Sequence, residues 1–449
     1  MAAVSASVLP LLCASHAGAQ ELPGWLTVSG VYRIRYETLQ GQFRPGGDGS
    51  RDDIVVHRTA LSVGVRAGAV EVAAELMDAR QHLADGRPSL GTDVVNTLDL
   101  LQGYAAVSGA GVLGEGSSAR LLAGRFTLDL GSRRLVARSR FRNTINAFTG
   151  VLISWTDASR RTVRAFWALP VRRLPSDPER LLDNEGKADE ENGDVRLWGV
   201  HAALPWVRRD LTGEVWVLGL HEEDGPARAT ANRRVVTAGV RFFRDAAPGR
   251  WDFEAESVVQ LGRSRSSSSA SDVTDLDHRA HFQHVQVGYS RRAPRGPRIL
   301  GQLDLASGDD DPTDSVNGRF DTLYGARRFE YGPTGIYGAF ARGNLLSPGL
   351  RVEADPREGL GVTLAQRFFW LASARDAWMS VGLRDPGGDS GRYLGRQMEV
   401  WLRWDAVSGH VQVEVGGAHL AWGGFARHAP GSRGETSTVY GYAQTALRF

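Results

Sequence analysis

The cations of this chain are almost all guanidinium groups, because 53 residues are lysine or arginine and Lys187 is the only lysine. A guanidinium is planar, permanently charged and shaped to pair with carboxylates and phosphates, so several of them on one surface attract anions. The formal net charge of the whole chain is nevertheless only +2. No long basic run or basic helix stands out, so the composition argues against a nucleic-acid binder.

A first group of these cations lies in residues 26–37, LTVSGVYRIRYE. In this stretch Arg33, Arg35 and Glu37 share one phase of a two-residue repeat, and Ile34 and Tyr36 occupy the other. Successive side chains of a β-strand point to opposite faces. The pattern therefore predicts a strand with one apolar face and one charged face.

The same alternation recurs to the end of the chain, with short and long links between the segments. Roughly 18 segments of about ten residues, allowing for errors, are typical of a transmembrane barrel with an even strand number. Candidate strands lie at residues 26–37, 55–65, 70–77, 98–107, 119–128, 148–155, 162–168, 195–204, 214–220, 235–243, 251–261, 282–289, 299–306, 335–341, 362–370, 378–383, 398–404, 411–420 and 439–449.

Membrane residence would require these strands to close into a barrel. No apolar stretch is long enough for a membrane helix, and an open sheet edge cannot lie in lipid, so the first strand must pair with the last. The last strand ends on an aromatic residue, Phe449, as the sorting signals of outer-membrane barrels do. We therefore predict an all-β fold, a single transmembrane antiparallel β-barrel of about 18 strands with long extracellular loops.

The N-terminus predicts an exported protein, and export together with the predicted barrel indicates the outer membrane of a Gram-negative bacterium. Residues 1–19 contain a short apolar run and end in Ala-Gly-Ala, a site of the kind that signal peptidase cuts. Cleavage there would remove Cys13, the only cysteine, and with it any disulfide or thiol chemistry. We predict a signal peptide at residues 1–19 and one barrel domain at residues 20–449.

The longer links are polar and rich in turn formers, which predicts extracellular loops, with the short turns on the periplasmic side. The clearest of these links are residues 181–194, 264–278, 307–319 and 423–437.

Two short motifs suggest other chemistry, but their surroundings argue against it. Residues 109–114 fit G-x-G-x-x-G, but no helix follows, so we predict a hairpin turn. Residues 388–391, GDSG, resemble the nucleophile segment of chymotrypsin-like proteases, but no histidine segment precedes them and a loop is predicted.

Two groups of residues could bind metal ions. His278, His281 and His284 are spaced three apart, but alternation places His281 opposite the other two and no fourth ligand is adjacent, so we predict solvated histidines. The carboxylates of Asp309, Asp310 and Asp311 offer hard oxygen ligands. They predict either a solvated acidic turn or a structural calcium ion, which is the one cofactor that the sequence suggests.

Three groups of residues carry a family resemblance. Residues 304–332, DLASGDDDPTDSVNGRFDTLYGARRFEYG, and 343–370, GNLLSPGLRVEADPREGLGVTLAQRFFW, resemble the signature of the alginate-export family of outer-membrane barrels. Residues 123–155, AGRFTLDLGSRRLVARSRFRNTINAFTGVLISW, are similar to a second conserved run of that family, and residues 391–405 with the closing strand to a third. The resemblance covers nearly the whole chain after the signal peptide. It implies an 18-stranded monomeric barrel whose arginine-lined lumen passes anionic sugar chains.

A pore for a polyuronate needs guanidinium groups that pair with carboxylates and then release them, so several weak, wet sites serve better than one tight site. Carboxylates that share the lumen would keep the arginines from holding the polymer. Any single arginine is better explained as an ion pair that stabilises the barrel, whereas the whole set predicts anion conduction. The predicted pore-lining residues are Arg33, Arg35, Arg58, Arg125, Arg133, Arg134, Arg138, Arg241, Arg367, Arg403, Glu37, Glu254 and Glu399.

The sequence thus predicts a passive outer-membrane channel, not an enzyme, for an anionic, alginate-like polysaccharide or smaller anions. It would be a monomer in outer-membrane lipid, with periplasmic export partners. Three alternatives stay open. These are a general or non-alginate porin, an outer-membrane barrel enzyme with a serine and a histidine facing lipid at one height, and a soluble β-rich protein that binds or cleaves carbohydrate.

Overall fold

The computed structural model describes residues 22–46, 51–84, 90–206, 210–225, 228–293 and 295–449. The predicted signal peptide, residues 1–19, lies outside the described residues. In chain order the strands are β1 Leu26–Gln40, β2 Asp52–Ala67, β3 Val70–His82, β4 Asn96–Ala110, β5 Ser118–Phe126, β6 Phe148–Thr156, β7 Thr162–Arg172, β8 Glu190–Glu191, β9 Val195–Trp206, β10 Leu211–Glu222, β11 Arg234–Arg244, β12 Trp251–Ser264, β13 Leu276–Ser290, β14 Arg298–Ala306, β15 Val316–Asn317, β16 Leu345–Arg357, β17 Leu360–Trp370, β18 Tyr393–Val407, β19 Val411–Trp422 and β20 Ser437–Arg448.

Eighteen of these strands form one closed antiparallel barrel, which confirms the predicted fold. Each barrel strand pairs with its neighbours along the chain, and β1 pairs with both β2 and β20, so no edge stays open. The two-residue strands β8 and β15 are additions that pair with β7 and, in parallel, with β13. Among the described residues three short helices lie in the links: α1 Pro178–Leu182, α2 Arg328–Tyr331 and α3 Gly424–His428. None of the helices in the described ranges has the length and apolar character needed to cross a bilayer.

The two-residue repeat places side chains as predicted. In β1 the side chains of Arg33, Arg35 and Glu37 are buried inside the barrel, whereas Ile34 is 42% exposed on the outer surface. In β18 Glu399 is 4% exposed and its neighbour Val400 is 51% exposed. The outer surface therefore presents an apolar belt of the kind that faces lipid in transmembrane barrels.

Two of the nineteen candidate strands are wrong and one strand was missed. Residues 335–341 and 378–383 lie in links, the second closed by an isolated bridge between Trp378 and Leu383. The missed strand is β16, which contains Pro348, Gly349 and Pro356 and therefore looks like a turn in the sequence. The other seventeen candidates coincide with barrel strands.

The two ends of the barrel differ in the length of their connections. The short turns, such as residues 68–69, 358–359 and 408–410, lie at the end where β1 begins and β20 finishes. The predicted loops 181–194, 264–278, 307–319 and 423–437 lie at the opposite end. Residues 109–114 form part of the turn between β4 and β5, and residues 388–391 lie in the link between β17 and β18, as predicted. We refer below to the short-turn end and the long-link end of the barrel.

The fold predicts that charge on the outer face is costly only at mid-strand. Val400 lies at the middle of β18, and Val407, 53% exposed, lies at its end. We expect Val400→Arg to lower the free energy of unfolding from lipid vesicles by about 2–4 kcal/mol, and Val407→Arg by ~0–1 kcal/mol. Urea unfolding followed by tryptophan fluorescence measures both. Equal losses at the two positions would contradict this placement of the lipid belt.

Candidate functional site

Two long links fold back into the barrel instead of remaining outside it. The link of residues 127–147, between β5 and β6, meets the link of residues 307–344, between β14 and β16, at a parallel bridge between Val136 and Tyr324. The amide of Tyr324 donates to the carbonyl of Leu135 at 2.8 Å, and the amide of Ala326 donates to the carbonyl of Arg133 at 2.9 Å. Together these two links, which we call the inner links, narrow the lumen.

The barrel wall holds the first inner link through arginines that were predicted to line the pore. The guanidinium of Arg33 donates to the carbonyl oxygens of Arg140, Phe141 and Arg142 at 2.8–3.1 Å and to Oδ1 of Asn143 at 3.0 Å. Arg35 donates to the carbonyl of Phe141 at 2.6 Å and stacks on its ring, 4.1 Å from the centroid. Both side chains face the interior and hold the backbone of the first inner link.

Glu37 fixes the second inner link. One carboxylate oxygen of Glu37 pairs with Arg35 at 2.7 Å, and the other accepts bonds from the Ile336 amide at 2.9 Å and the Tyr440 hydroxyl at 2.8 Å. A single buried carboxylate therefore joins β1, β20 and the inner link.

A buried ion-pair network holds the two inner links to the opposite wall. Arg134 of the first link pairs with Glu330 of the second and, at 2.5 and 2.6 Å, with Glu254 and Glu256 of β12. Arg342 of the second link also pairs with Glu330. Burial alone would lower the pKa of Arg134, but the charges of Glu330, Glu256 and Glu254 raise it well above its usual value.

The network continues across the wall through residues predicted to line the pore. Arg241 pairs with Glu254 at 2.9 Å and with Glu214 at 3.1 Å. Arg367 pairs with Asp304 at 2.6 Å. The other carboxylate oxygen of Asp304 shares a hydrogen bond of 2.7 Å with His284 Nδ1. Most of the charged side chains of this network therefore form ion pairs with one another.

The ligand atoms of His284, Asp304 and Glu330 lie within 4.8 Å of one another, the one such grouping among the described residues. Each of the two carboxylates faces a guanidinium, so the cluster is best described as part of the ion-pair network. The prediction of solvated histidines is wrong for His278 and His284, which are buried because the inner links cover them, whereas His281 is exposed on the opposite face.

The aspartates predicted to bind calcium do not form such a group in the described part of the chain. Asp309 is buried, whereas Asp310 and Asp311 are exposed, and Asp311 accepts bonds from the amide and hydroxyl of Thr313 at 3.0 and 2.7 Å. The calcium hypothesis stays a prediction. A rise in melting temperature when calcium replaces a chelator, lost in Asp311→Asn, would support it.

Arg125 does not line the pore. It pairs across the ladder with Gly103 and Thr149 on the outer face of the sheet, the face that also carries exposed Leu121. There it bonds Glu191 of β8 at 2.6 Å. The prediction failed because the inward phase of β5 belongs to Leu122 and Phe126, which are both buried.

On the short-turn side of the inner links lies a cavity of about 580 Å³, which we call the inner cavity. Arg403, Gln412 and Arg448 on its wall lie beside the turn between β18 and β19 and near the end of β20. Glu414 is the only acidic residue in its lining among the residues that the structure describes. The arginines that line the inner cavity are Arg33, Arg58, Arg133, Arg138, Arg140, Arg142, Arg327, Arg328, Arg403 and Arg448.

Four of these ten arginines have a carboxylate within 4.0 Å: Arg133 with Asp129, Arg138 with Glu75, Arg142 with Asp93 and Arg328 with Glu399. Within the described ranges the other six have none. Arg58 and Arg327 donate only to backbone carbonyls, those of Arg142 and Gly338. Burial, and then the charge of Arg142, lower the pKa of Arg327 to about 9, so it stays cationic at neutral pH. The inner cavity is therefore a concentration of positive charge with few fixed counter-ions.

Sequence reasoning placed Arg33, Arg58, Arg133, Arg138 and Arg403 among the pore residues, and all five line the inner cavity. It missed the other five, and also Glu330 and Arg342 of the network. The available signal was the arginine density of the links themselves, in RSRFR at residues 138–142 and the adjacent pair at residues 327–328. The prediction included Arg138 of the first stretch but not its neighbours, and it included neither arginine of the second.

A closed barrel with an apolar belt and inward-folded links defines an outer-membrane channel. Solved structures with this fold include the outer membrane protein OpdK of Pseudomonas aeruginosa, with a TM-score of 0.60, 12% identity and coverage of 94% of this chain and 98% of that one. OccK8 (OprE) of the same organism gives 0.58 and 10% with the same coverages, and OpdK solved with vanillate gives 0.58 and 12%. A comparison with curated proteins found no match.

The particular family is shown by the sequence match over residues 24–440 to the alginate-export model. The chain belongs to the alginate-export family, as the resemblance indicated.

The network predicts that the inner links loosen when its central cation is removed. Arg134→Gln would remove the cation that Glu330, Glu254 and Glu256 share and leave them only Arg342 and Arg241. We therefore expect the free energy of unfolding to fall by about 3–5 kcal/mol and the single-channel conductance to rise. Arg133→Gln is the matched control, because its side chain is 23% exposed and pairs only with Asp129 among acids, and we expect it to cost ~0–1 kcal/mol. Equal effects of the two substitutions would show that the ion-pair network does not anchor the inner links.

Proposed function

We propose that this protein is a passive channel for anions that carry carboxylates, either an anionic, alginate-like polysaccharide or smaller carboxylate solutes. The observation that carries the proposal is the set of six arginines facing one cavity without a carboxylate within 4.0 Å among the described residues. In such a site a mobile anion supplies the missing counter-charge.

The arrangement favours weak, repeated binding over capture. Arg140 and Arg403 are exposed and have no side-chain hydrogen bond within the described ranges, so they can meet an anion without breaking an existing contact. Glu414 lines the same cavity and accepts a bond from the Tyr442 hydroxyl at 2.6 Å, and its negative charge weakens the attraction of the cavity for an anion. A chain of carboxylates can then move from one arginine to the next, since no single site holds it tightly.

Two classes of cargo, which differ in size, each have support. A polyuronate is favoured by family membership. A smaller carboxylate is favoured by the volume of the inner cavity, about 580 Å³, and by the narrowing that the inner links impose. Vanillate, with which OpdK was solved, is a carboxylate of this smaller kind.

A barrel enzyme has less support. The hydrogen bond between a serine hydroxyl and a histidine ring that occurs among the described residues joins Ser264 Oγ to His278 Nδ1 at 3.0 Å, and both residues are buried inside the barrel instead of facing lipid.

The proposal predicts anion selectivity that depends on the unpaired arginines. In a planar bilayer across a potassium chloride gradient we expect a reversal potential of the sign for chloride preference. We expect Arg140→Gln combined with Arg403→Gln to lower the anion-to-cation permeability ratio roughly two- to fivefold near 0.1 M salt, where charges act over about 10 Å.

Arg161→Gln is the control for that loss of charge. Arg161 lies in the turn between β6 and β7, beside Asp157 and outside the inner cavity, and its side chain is 59% exposed. Cation preference in the unsubstituted protein would overturn the proposal. Addition of a mannuronate hexamer or of vanillate, each at equal carboxylate concentration, identifies which cargo size blocks the current.

A further inference from the structure

The long-link end of the lumen also contains arginine-lined space. Two cavities of about 460 and 410 Å³ share Glu222, Arg228 and Arg233 in their linings, and we call them together the outer cavity. Both lie beyond the inner links as seen from the inner cavity, because their walls come from the ends of β7, β10 and β12 next to the long links.

The charges of the outer cavity are nearly balanced. Arg233 pairs with Glu222 at 2.8 Å and with Asp321 at 2.7 Å. Arg265 pairs with Asp224 at 2.6 Å and Asp275 at 3.5 Å. Arg319 pairs with Asp376. Six lining arginines therefore stand against five carboxylates that either line the outer cavity or pair with its arginines.

The inner cavity differs sharply by the same measure. Its ten arginines also stand against only five carboxylates, counting Glu414 and the four paired acids Glu75, Asp93, Asp129 and Glu399. The two mouths of one lumen thus differ by about four positive charges in the described residues. Low-dielectric walls focus the field of such a group into the water that fills the mouth.

We propose that the channel is electrostatically polarised, so that it captures anionic chains at the short-turn mouth and releases them through the charge-balanced long-link mouth. This inference rests on the proposed anion channel and adds the mouth at which capture occurs. Because the channel is passive, the polarity is kinetic. It changes the rate at which an anion enters from each side and leaves the equilibrium distribution unchanged.

Short turns face the periplasm in bacterial outer-membrane barrels, so the capturing mouth is the periplasmic one. A polyanion that reaches the inner cavity meets Arg403 and Arg448 first, since these lie nearest the short turns. An anion that approaches from outside meets three arginines whose charges are neutralised by Glu222, Asp224 and Asp376. The other three lining arginines, Arg172, Arg173 and Arg228, have no carboxylate within 4.0 Å among the described residues, against six such arginines in the inner cavity.

The test is block of single channels by a mannuronate hexamer added to one side at a time. The orientation of each channel in the bilayer is determined with the variant Ala270→Cys, whose exposed cysteine lies in the link between β12 and β13. The cysteine is labelled with biotin, and streptavidin added to one side shows which side the long links face. At 0.1 M salt we expect the blocking rate per unit concentration to be about tenfold higher from the short-turn side, as electrostatic steering allows. At 1 M salt, where charges are screened within about 3 Å, we expect the two rates to converge.

Paired variants locate the asymmetry. Arg403→Gln with Arg448→Gln should lower the blocking rate from the short-turn side and leave the opposite rate unchanged. Asp224→Asn with Asp275→Asn should raise the rate from the long-link side, because it leaves Arg265 without its carboxylates. Circular dichroism and heat-modified gel mobility check that each variant is a folded barrel.

Equal blocking rates from the two sides, in a channel that still prefers anions, would overturn the polarity and leave the proposed function intact. Asymmetry that persists in Arg403→Gln with Arg448→Gln would also overturn it. Loss of anion preference in the unsubstituted protein would instead refute the proposed function on which the inference rests.

Discussion

Charge buried inside a membrane barrel must be paired, and this constraint organises the lumen. Removing a carboxylate or guanidinium from water costs several kcal/mol unless a partner and further hydrogen bonds replace the lost hydration. Arg134 and Glu330 meet that need for each other although 196 residues separate them in the chain. Their pairing also decides the path of the backbone, because each belongs to an inner link that would otherwise lie outside. Buried ion pairs of this kind add little net stability, and here their value is that they specify one arrangement of the links.

The functional part of the lumen begins where that pairing ends. Around Arg134 every cation has an acid nearby, so the region is fixed and offers an incoming anion little attraction. Toward the short turns the acids become scarce, and Arg140 and Arg403 face water without a partner among the described residues. Arginine thus holds the links in place at one depth of the lumen and has no fixed partner at another. The difference depends only on how many carboxylates lie within reach.

The barrel was largely predictable because its rule is local. Alternation at period two fixes which side chains face lipid, and it identified seventeen of the eighteen barrel strands. It failed at β16, where Pro348 and Gly349 imitate a turn although Pro348 is accommodated in a strand whose neighbouring pairings continue around it. It also failed at Arg125, which shares its strand with the inward Phe126 but occupies the other phase.

The site was less predictable because its rule is not local. Whether Arg33 binds a solute or a backbone carbonyl depends on where residues 140–143 lie, and the sequence does not specify how a 21-residue link returns to the lumen. The family resemblance supplied an arginine-lined pore in general terms. Only the folded chain distinguishes Arg35, which is fully engaged, from Arg403, which is not.

Glu37 connects two events that are usually considered apart. Its carboxylate accepts hydrogen bonds from Tyr440 of the last strand and from Ile336 of the second inner link. Arg35 beside it donates to the carbonyl of Phe141 in the first inner link. Closure of the barrel brings β1 next to β20. The carboxylate of Glu37 therefore accepts hydrogen bonds both from the strand that closes the barrel and from the second inner link. Closure of the wall and placement of the second inner link therefore depend on the same carboxylate, so each of the two arrangements stabilises the other.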